Sequence, residues 1–132
     1  LKPNNQFSID FEIDFPSKVI NKQSCHLQLI NGNYKYDIAS ARTFGFEKDV
    51  DILRSNGLAL GGSLENAVVV GDNKILNEEG LRFKDEFVRH KILDSIGDLY
   101  LAGAPIQGYF LGNKSGHYLN NLLLKSLFSK ED

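Results

Sequence analysis

The residues with the most chemical potential lie in the stretch Phe87-Val88-Arg89-His90-Lys91-Ile92-Leu93-Asp94-Ser95-Ile96-Gly97-Asp98-Leu99-Tyr100-Leu101. At about 100° per residue, His90, Lys91, Asp94 and Asp98 share one side of a helix, and Val88, Ile92, Ile96 and Leu99 share the other. His90 and Asp94 stand four apart, so one turn places an imidazole beside a carboxylate. A histidine nitrogen and an aspartate oxygen can hold a divalent metal together. Asp98, one turn further on, can orient a neighbouring group. The same pattern also suits the solvated face of an ordinary amphipathic helix, where a His–Asp pair is a weak surface contact. Two ligands do not close a tetrahedral site, and spacing alone leaves both readings open.

Other reactive side chains are scattered. Lys114-Ser115-Gly116-His117 leads into a final helix, which puts His117 in the first turn among unpaired backbone N–H groups that favour anions. A plain surface histidine fits that position equally well. His26 lies in a strand pattern with no metal-binding residue type near it in sequence, and reads as structural. In Leu58-Ala59-Leu60-Gly61-Gly62-Ser63 the paired glycines invite a backbone that approaches a ligand closely. This is no phosphate loop, because no Lys-Ser/Thr follows the glycines.

The elements that must position these groups are partly legible. Phe7, Ile9, Phe11, Ile13 and Phe15 alternate with Ser8, Asp10, Glu12 and Asp14, which is a half-buried strand ended by Pro16. Its acidic face reads most simply as solvent-exposed. Cys25 to Ile30 and Tyr34 to Ile38 flank Asn31-Gly32-Asn33, and Asn-Gly between apolar runs predicts a hairpin. A short helix is expected over Glu47 to Asn56, with Phe46, Val50 and Leu53 at helical spacing and Gly57 at its C-terminal cap. Ala67 to Val70 and Lys74 to Leu76, around Gly71-Asp72-Asn73, read as a second hairpin. Asp85 and Glu86 open the central helix and suit its dipole. A strand follows over Ile106 to Leu111, then a last helix burying Leu119, Leu122, Leu123 and Leu127. The expected fold class is α+β: a two-layer sandwich with a mostly antiparallel or mixed sheet, two main helices on one face and a small β-α-β insert.

Composition narrows the function classes. The 132 residues carry 42% hydrophobic side chains, enough for one domain with a packed core. The formal net charge of -2 argues against a nucleic-acid or anionic-membrane surface. No apolar run is long enough for stable membrane insertion and no stretch reads as a signal peptide. The single cysteine, Cys25, excludes an internal disulfide and fits a reducing compartment. The chain opens at Leu1 and enters a strand pattern within a few residues, as a piece of something longer would.

Three stretches, taken together and in order, carry a resemblance: Ala41-Arg42-Thr43-Phe44-Gly45-Phe46, then Phe87-Val88-Arg89-His90-Lys91 with Asp94 and Asp98, then Lys114-Ser115-Gly116-His117. They resemble the zinc-dependent UDP-3-O-acyl-N-acetylglucosamine deacetylases of lipid A biosynthesis, and the likeness runs from about Phe7 to Leu127. That family has two similar α+β domains with the active site between them, and this chain is similar to the second. The resemblance implies Zn2+ as cofactor, with His90 and Asp94 as two of three protein ligands. The third ligand, a histidine, and a glutamate general base belong to the first domain, which is the implied partner.

The same resemblance implies the remaining roles. Thr43 matches the residue that hydrogen-bonds the developing oxyanion, and His117 matches the catalytic histidine, with Asp98 pairing it. Lys91 matches a contact to the UDP-sugar, and Phe11, loosely with Asp10, lies near the uridine. The segment at about 46–76 matches an insert forming a passage for the acyl chain. Phe44, Phe46, Val50, Ala59, Ser63, Ala67 and Val69 belong with that substrate contact. The implied setting is the cytoplasm of a Gram-negative bacterium. The alternatives are a non-catalytic acyl- or lipid-binding α+β module, and a structural domain whose polar helix face is idle.

Overall fold

The structure, a computed structural model, describes residues 1–30, 32–57 and 64–129, apart from the Leu53 side chain. Alternation over residues 7–15 becomes β2 (Ser8–Asp14), which buries Ile9, Phe11 and Ile13 on one face. It is a central strand of a four-stranded sheet in the order β1-β6-β2-β3, with β1 at Lys2–Pro3, β3 at Lys22–Gln28 and β6 at Gly108–Asn113. β3 runs antiparallel to β2, β6 runs parallel to β2, and β1 closes the other edge antiparallel to β6. The parallel pairing requires a crossover, and helix α2 (Glu86–Leu99) lies within it. α2 lays Val88, Ile92, Ile96 and Leu99 on the sheet's apolar face, as its periodicity requires. Helix α3 (His117–Phe128) packs beside α2. The chain is thus an α+β sandwich with a mixed sheet.

The insert is a β-α-β unit: β4 (Phe44–Phe46), α1 (Glu47–Ser55) and β5 (Val68–Val70), the two strands pairing in parallel. Gly57, with φ of +76°, ends α1 with its N–H on the Arg54 carbonyl, as expected of a C-terminal glycine.

Three expectations need correction. First, residues 34–38 are not a strand paired to residues 25–30; they form a π-helical turn in which only Ile38 is buried. β3 instead pairs with β2, in the register Phe11 to Cys25, through a turn in which Asn21 takes a φ of +53°. The turn over 34–38 carries the chain from the β3 edge to α2, where Arg89 Nη1 donates to the Asp37 carbonyl at 2.8 Å. Second, the return of the predicted second hairpin makes one isolated bridge, Val70 to Ile75. The Asn77 side chain does the work of a strand there: Oδ1 accepts from Val69 N–H at 2.9 Å, and Nδ2 donates to the Leu64 and Ala67 carbonyls at 3.1 and 2.9 Å. Third, α3 buries Asn120 and Leu124, whereas Leu119, Leu122 and Leu127 are exposed and Leu123 is half-buried.

Candidate functional site

The polar face of α2 presents His90, and the ring is fixed at both nitrogens. Nδ1 lies 3.0 Å from the Ala41 carbonyl, which can only accept, so Nδ1 carries the proton. Nε2 is left facing the Asp94 carboxylate at 3.1 Å, one turn along the helix. Burial alone would hold the His90 pKa down, but Asp94 and the Ala41 carbonyl outweigh it and raise the group above its ordinary 6.5. An imidazole whose other N–H is tied to a backbone carbonyl is the arrangement that points a nitrogen lone pair at a metal. The neighbouring oxygen donor completes a mixed pair suited to a borderline divalent ion. His90 and Asp94 therefore fit two positions of a metal site, and among the described residues no group of three His, Cys, Asp or Glu side chains could complete one.

The second histidine arrives from a different element. His117 is the first residue of α3, and its Nδ1 stands 2.7 Å from Asp98 Oδ2. Its Nε2 lies 4.0 Å from the other oxygen of Asp94, so the two imidazoles flank one carboxylate. Asp98 Oδ2 also accepts from Asn120 Nδ2 at 2.9 Å, and Ser95 Oγ donates to the Lys91 carbonyl at 3.0 Å beneath it. Asn120 and Ser95 are both buried at the α2–α3 junction. Lys114, just before this motif, takes a φ of +55°, uncommon for a side chain of its size and a sign that the loop is held by its surroundings. Lys91 Nζ lies close to Gly116, 3.4 Å from where a Cβ on that residue would stand. A cation thus sits beside the N-terminal end of α3.

The chain belongs to a family whose sequence model, described as "LpxC: UDP-3-O-acyl N-acetylglycosamine deacetylase", matches residues 1–129. This is a deacetylase family domain. A relative from Psychrobacter cryohalolentis named UDP-3-O-acyl-N-acetylglucosamine deacetylase is 56% identical over 131 residues, which is 98% of this chain and 41% of the relative. Relatives of the same name from Syntrophus aciditrophicus and Acidithiobacillus ferrooxidans are each 52% identical across all of this chain, covering 42% and 44% of their own lengths. The chain spans less than half the length of these relatives.

Within this deacetylase family domain, the other expected site residues fall into distinct places. Thr43 is exposed, directly after the Ala41-Arg42 peptide, and its carbonyl accepts from Val68 N–H at 2.8 Å. Phe44 and Phe46 are half-buried; Phe44 meets Phe87 edge-on at 5.0 Å and Phe15 at 5.7 Å. On the other side of the insert, Gly45 lies beneath Val50, whose Cγ2 is 3.3 Å from a Cβ built on that glycine. Gly45 pairs with Val69, whose side chain therefore shares the α1 side, and Ala67 immediately precedes β5. Ala59 and Ser63 lie outside the described residues. Phe11 is 2% exposed and stacked at 6.4 Å on Phe110, with the Lys91 ammonium 6.0 Å from its ring centroid. Asp10 points to the opposite face of the sheet, where its carboxylate accepts from Tyr109 and pairs with His26. A recess of about 910 Å³ opens between Phe15, Lys18, Phe46 and Asp72 and is lined by none of the histidines.

Sequence reasoning missed one pair altogether. Arg42 is 7% exposed and Glu86 fully buried, with Arg42 Nε on Glu86 Oε2 at 2.8 Å and Nη2 on Oε1 at 3.1 Å. Glu86 had been expected to serve the helix dipole. The available signal was an arginine beside a motif threonine and a glutamate four residues before a motif histidine, since Arg and Glu are almost never buried unless paired.

Proposed function

We propose that this chain carries one half of the catalytic site of a zinc-dependent amidohydrolase that removes the N-acetyl group of UDP-3-O-acyl-N-acetylglucosamine in lipid A biosynthesis. The observation that carries the reading is the junction of two histidines on one carboxylate: His90, with Nδ1 on Ala41 O and Nε2 at Asp94, and His117 on the other side. Family membership supports the substrate. His90 and Asp94 would hold the zinc, together with a histidine from the other half of the enzyme. Zinc, when bound there, supplies a Lewis acid that polarises the acetyl carbonyl and acidifies a water molecule.

The chain's own groups do the rest. Thr43 donates its hydroxyl to the oxygen on which negative charge develops, a contact worth a few kcal/mol in comparable sites (roughly 3 to 4). His117 in its charged form stabilises that charge or protonates the leaving amine. A charged imidazole at a helix N-terminus meets the positive end of the dipole, which is unfavourable. Asp98, 2.7 Å from Nδ1, supplies the anion that position needs and fixes the ring. Lys91 presents a cation to the diphosphate beside the start of α3. The Gly45, Val50, Ala67 and Val69 face gives the 3-O-acyl chain a passage, each buried methylene contributing about 0.8 kcal/mol. A glutamate of the other half takes the water's proton. Such an enzyme would work in the cytoplasm.

The test is acetate release from UDP-3-O-acyl-N-acetylglucosamine by the full-length protein, before and after zinc removal with a chelator. Activity should vanish with the metal and return with added Zn2+, and His90→Ala should abolish both metal retention and turnover. Tight substrate binding without hydrolysis, unchanged by chelation, would instead identify a non-catalytic acyl-binding module.

A further inference from the structure

The peptide unit that joins Ala41 to Arg42 is held from both ends by one helix. Its N–H, on Arg42, donates to Glu86 Oε2 at 2.9 Å, and its C=O, on Ala41, accepts from His90 Nδ1 at 3.0 Å. Glu86 and His90 are one turn apart on α2, so they stand on the same face of the helix. A trans peptide is planar and its N–H and C=O point in opposite directions. Fixing the direction of one therefore fixes the direction of the other. Glu86 does not act alone. Arg42 Nε and Nη2 bind its two oxygens, Arg42 Nη2 also reaches the Gly80 carbonyl at 3.0 Å, and Arg82 N–H donates to Oε1 at 2.8 Å. All acceptor directions of a fully buried carboxylate are spent on this one corner of backbone.

A buried ion pair is a poor means of gaining stability, because taking both charges from water offsets most of their attraction. What this one gains is geometry. We infer that Glu86 and Arg42 are positioning residues: through the Ala41–Arg42 peptide they hold the His90 ring in the Nδ1–H form, with Nε2 directed at the metal position. The same anchored peptide is followed by Thr43, so the clamp also sets where that hydroxyl starts from. Neither Glu86 nor Arg42 touches a reacting atom. The consequence for metal binding rests on the zinc deacetylase reading; the consequence for the His90 tautomer does not.

The experiment uses the full-length protein with Glu86→Gln, which keeps the volume but replaces one acceptor oxygen with an N–H₂ facing the Arg42 and Arg82 donors. Two readouts are taken: the His90 tautomer, from long-range 1H–15N correlations in the metal-free protein, and zinc affinity, from competition with a chelator. At a pH high enough for the His90 ring to be neutral, the wild type should show the single Nδ1–H form, and Glu86→Gln a mixture of forms with zinc affinity lowered about 10- to 100-fold, the range seen when outer partners of ligating histidines are removed. Arg42→Lys, which retains the residue 42 N–H and the Glu86 charge, should keep most of both. If Glu86→Gln does not fold, the apolar double variant Arg42→Met/Glu86→Leu replaces it, with the same expected loss of the single tautomer. A folded variant that lacks the Glu86 carboxylate yet retains the Nδ1–H form and wild-type zinc affinity overturns the inference. A wild type that binds no zinc and releases no acetate overturns the deacetylase reading instead, while the tautomer still decides the clamp.

Discussion

One oxygen of Asp98 accepts from both the His117 ring and the buried Asn120 amide, so the carboxylate cannot turn without losing two bonds. On the proposed function, Asp98→Asn preserves the shape and an acceptor oxygen but removes the anion that holds His117 for its part in turnover. In the full-length protein we expect kcat to fall about 100-fold, at the low end of what a positioned acid or base contributes, with KM little changed. Steady-state kinetics on the UDP-sugar checks this; a rise in KM at constant kcat would place His117 in binding only. Two other residues contribute to how stability varies with pH. Burial would raise the Glu86 carboxyl, but the side-chain and backbone donors of Arg42 and the Arg82 N–H outweigh it and hold it below its ordinary 4.5. Its contribution is present above that value and is lost as pH falls through the lower folded value. His90 is raised, so its contribution in metal-free protein is complete below 6.5 and is lost as pH rises through the higher folded value. Urea midpoints of metal-free protein should therefore drop on both sides of about pH 5 to 6; Glu86→Gln should make the acid side shallower, to which Asp10 and Glu79 also contribute, and should weaken the other side by loosening the Ala41 carbonyl from His90.

Among the elements, β6 carries a steric demand at Gly112, one residue beyond the strand expected over Ile106 to Leu111. A Cβ on Gly112 would lie 2.5 Å from two ring carbons of Phe11 and 3.1 Å from a ring carbon of Phe110. Both rings are buried and neither can swing out. Gly112→Ala should cost about 1 to 3 kcal/mol, the usual penalty of overpacking, read as a shift in urea midpoint at unchanged slope. Legibility followed how many constraints each segment satisfies by itself. β2 alternates strictly and α2 has one apolar face, so both elements, with His90 and Asp94 on the polar side, could be read directly, whereas the burial of Ser8, Glu86 and Ser95 could not. α3 could not, because its leucines occur on more than one side. The face that packs is the one bearing Asn120, a polar residue whose place is set by Asp98. Residues 34–38 alternate like a strand, but Ile38 alone enters the core and the turn instead delivers Ala41 to His90. The Asn77 side chain stands in for a strand edge, and a side-chain amide leaves no periodic trace.

At the scale of the whole molecule, the layers bear on the proposal that a further zinc ligand comes from outside this chain. Sheet, α2 and α3 bring His90, Asp94, Asp98 and His117 to one outward face, but every donor there comes from two helices. Leu119, Leu122 and Leu127 on that outer helix are exposed as well. The chain covers 41% to 44% of relatives such as those from Psychrobacter cryohalolentis and Acidithiobacillus ferrooxidans, leaving ample length for a third ligand. A structural or catalytic zinc in proteins is held by at least three side chains, and each missing ligand must be replaced by water. On the proposed function, this chain alone should bind Zn2+ at least about 100-fold more weakly than the full-length protein, with an affinity that declines as protons compete for His90 Nε2. Equilibrium dialysis of both proteins at the same pH measures the ratio. His90→Ala and Asp94→Ala should each bring the chain down to background. Tight one-to-one binding by the chain alone, surviving both substitutions, would mean that the metal is held by other side chains and that this turn of α2 is not its seat.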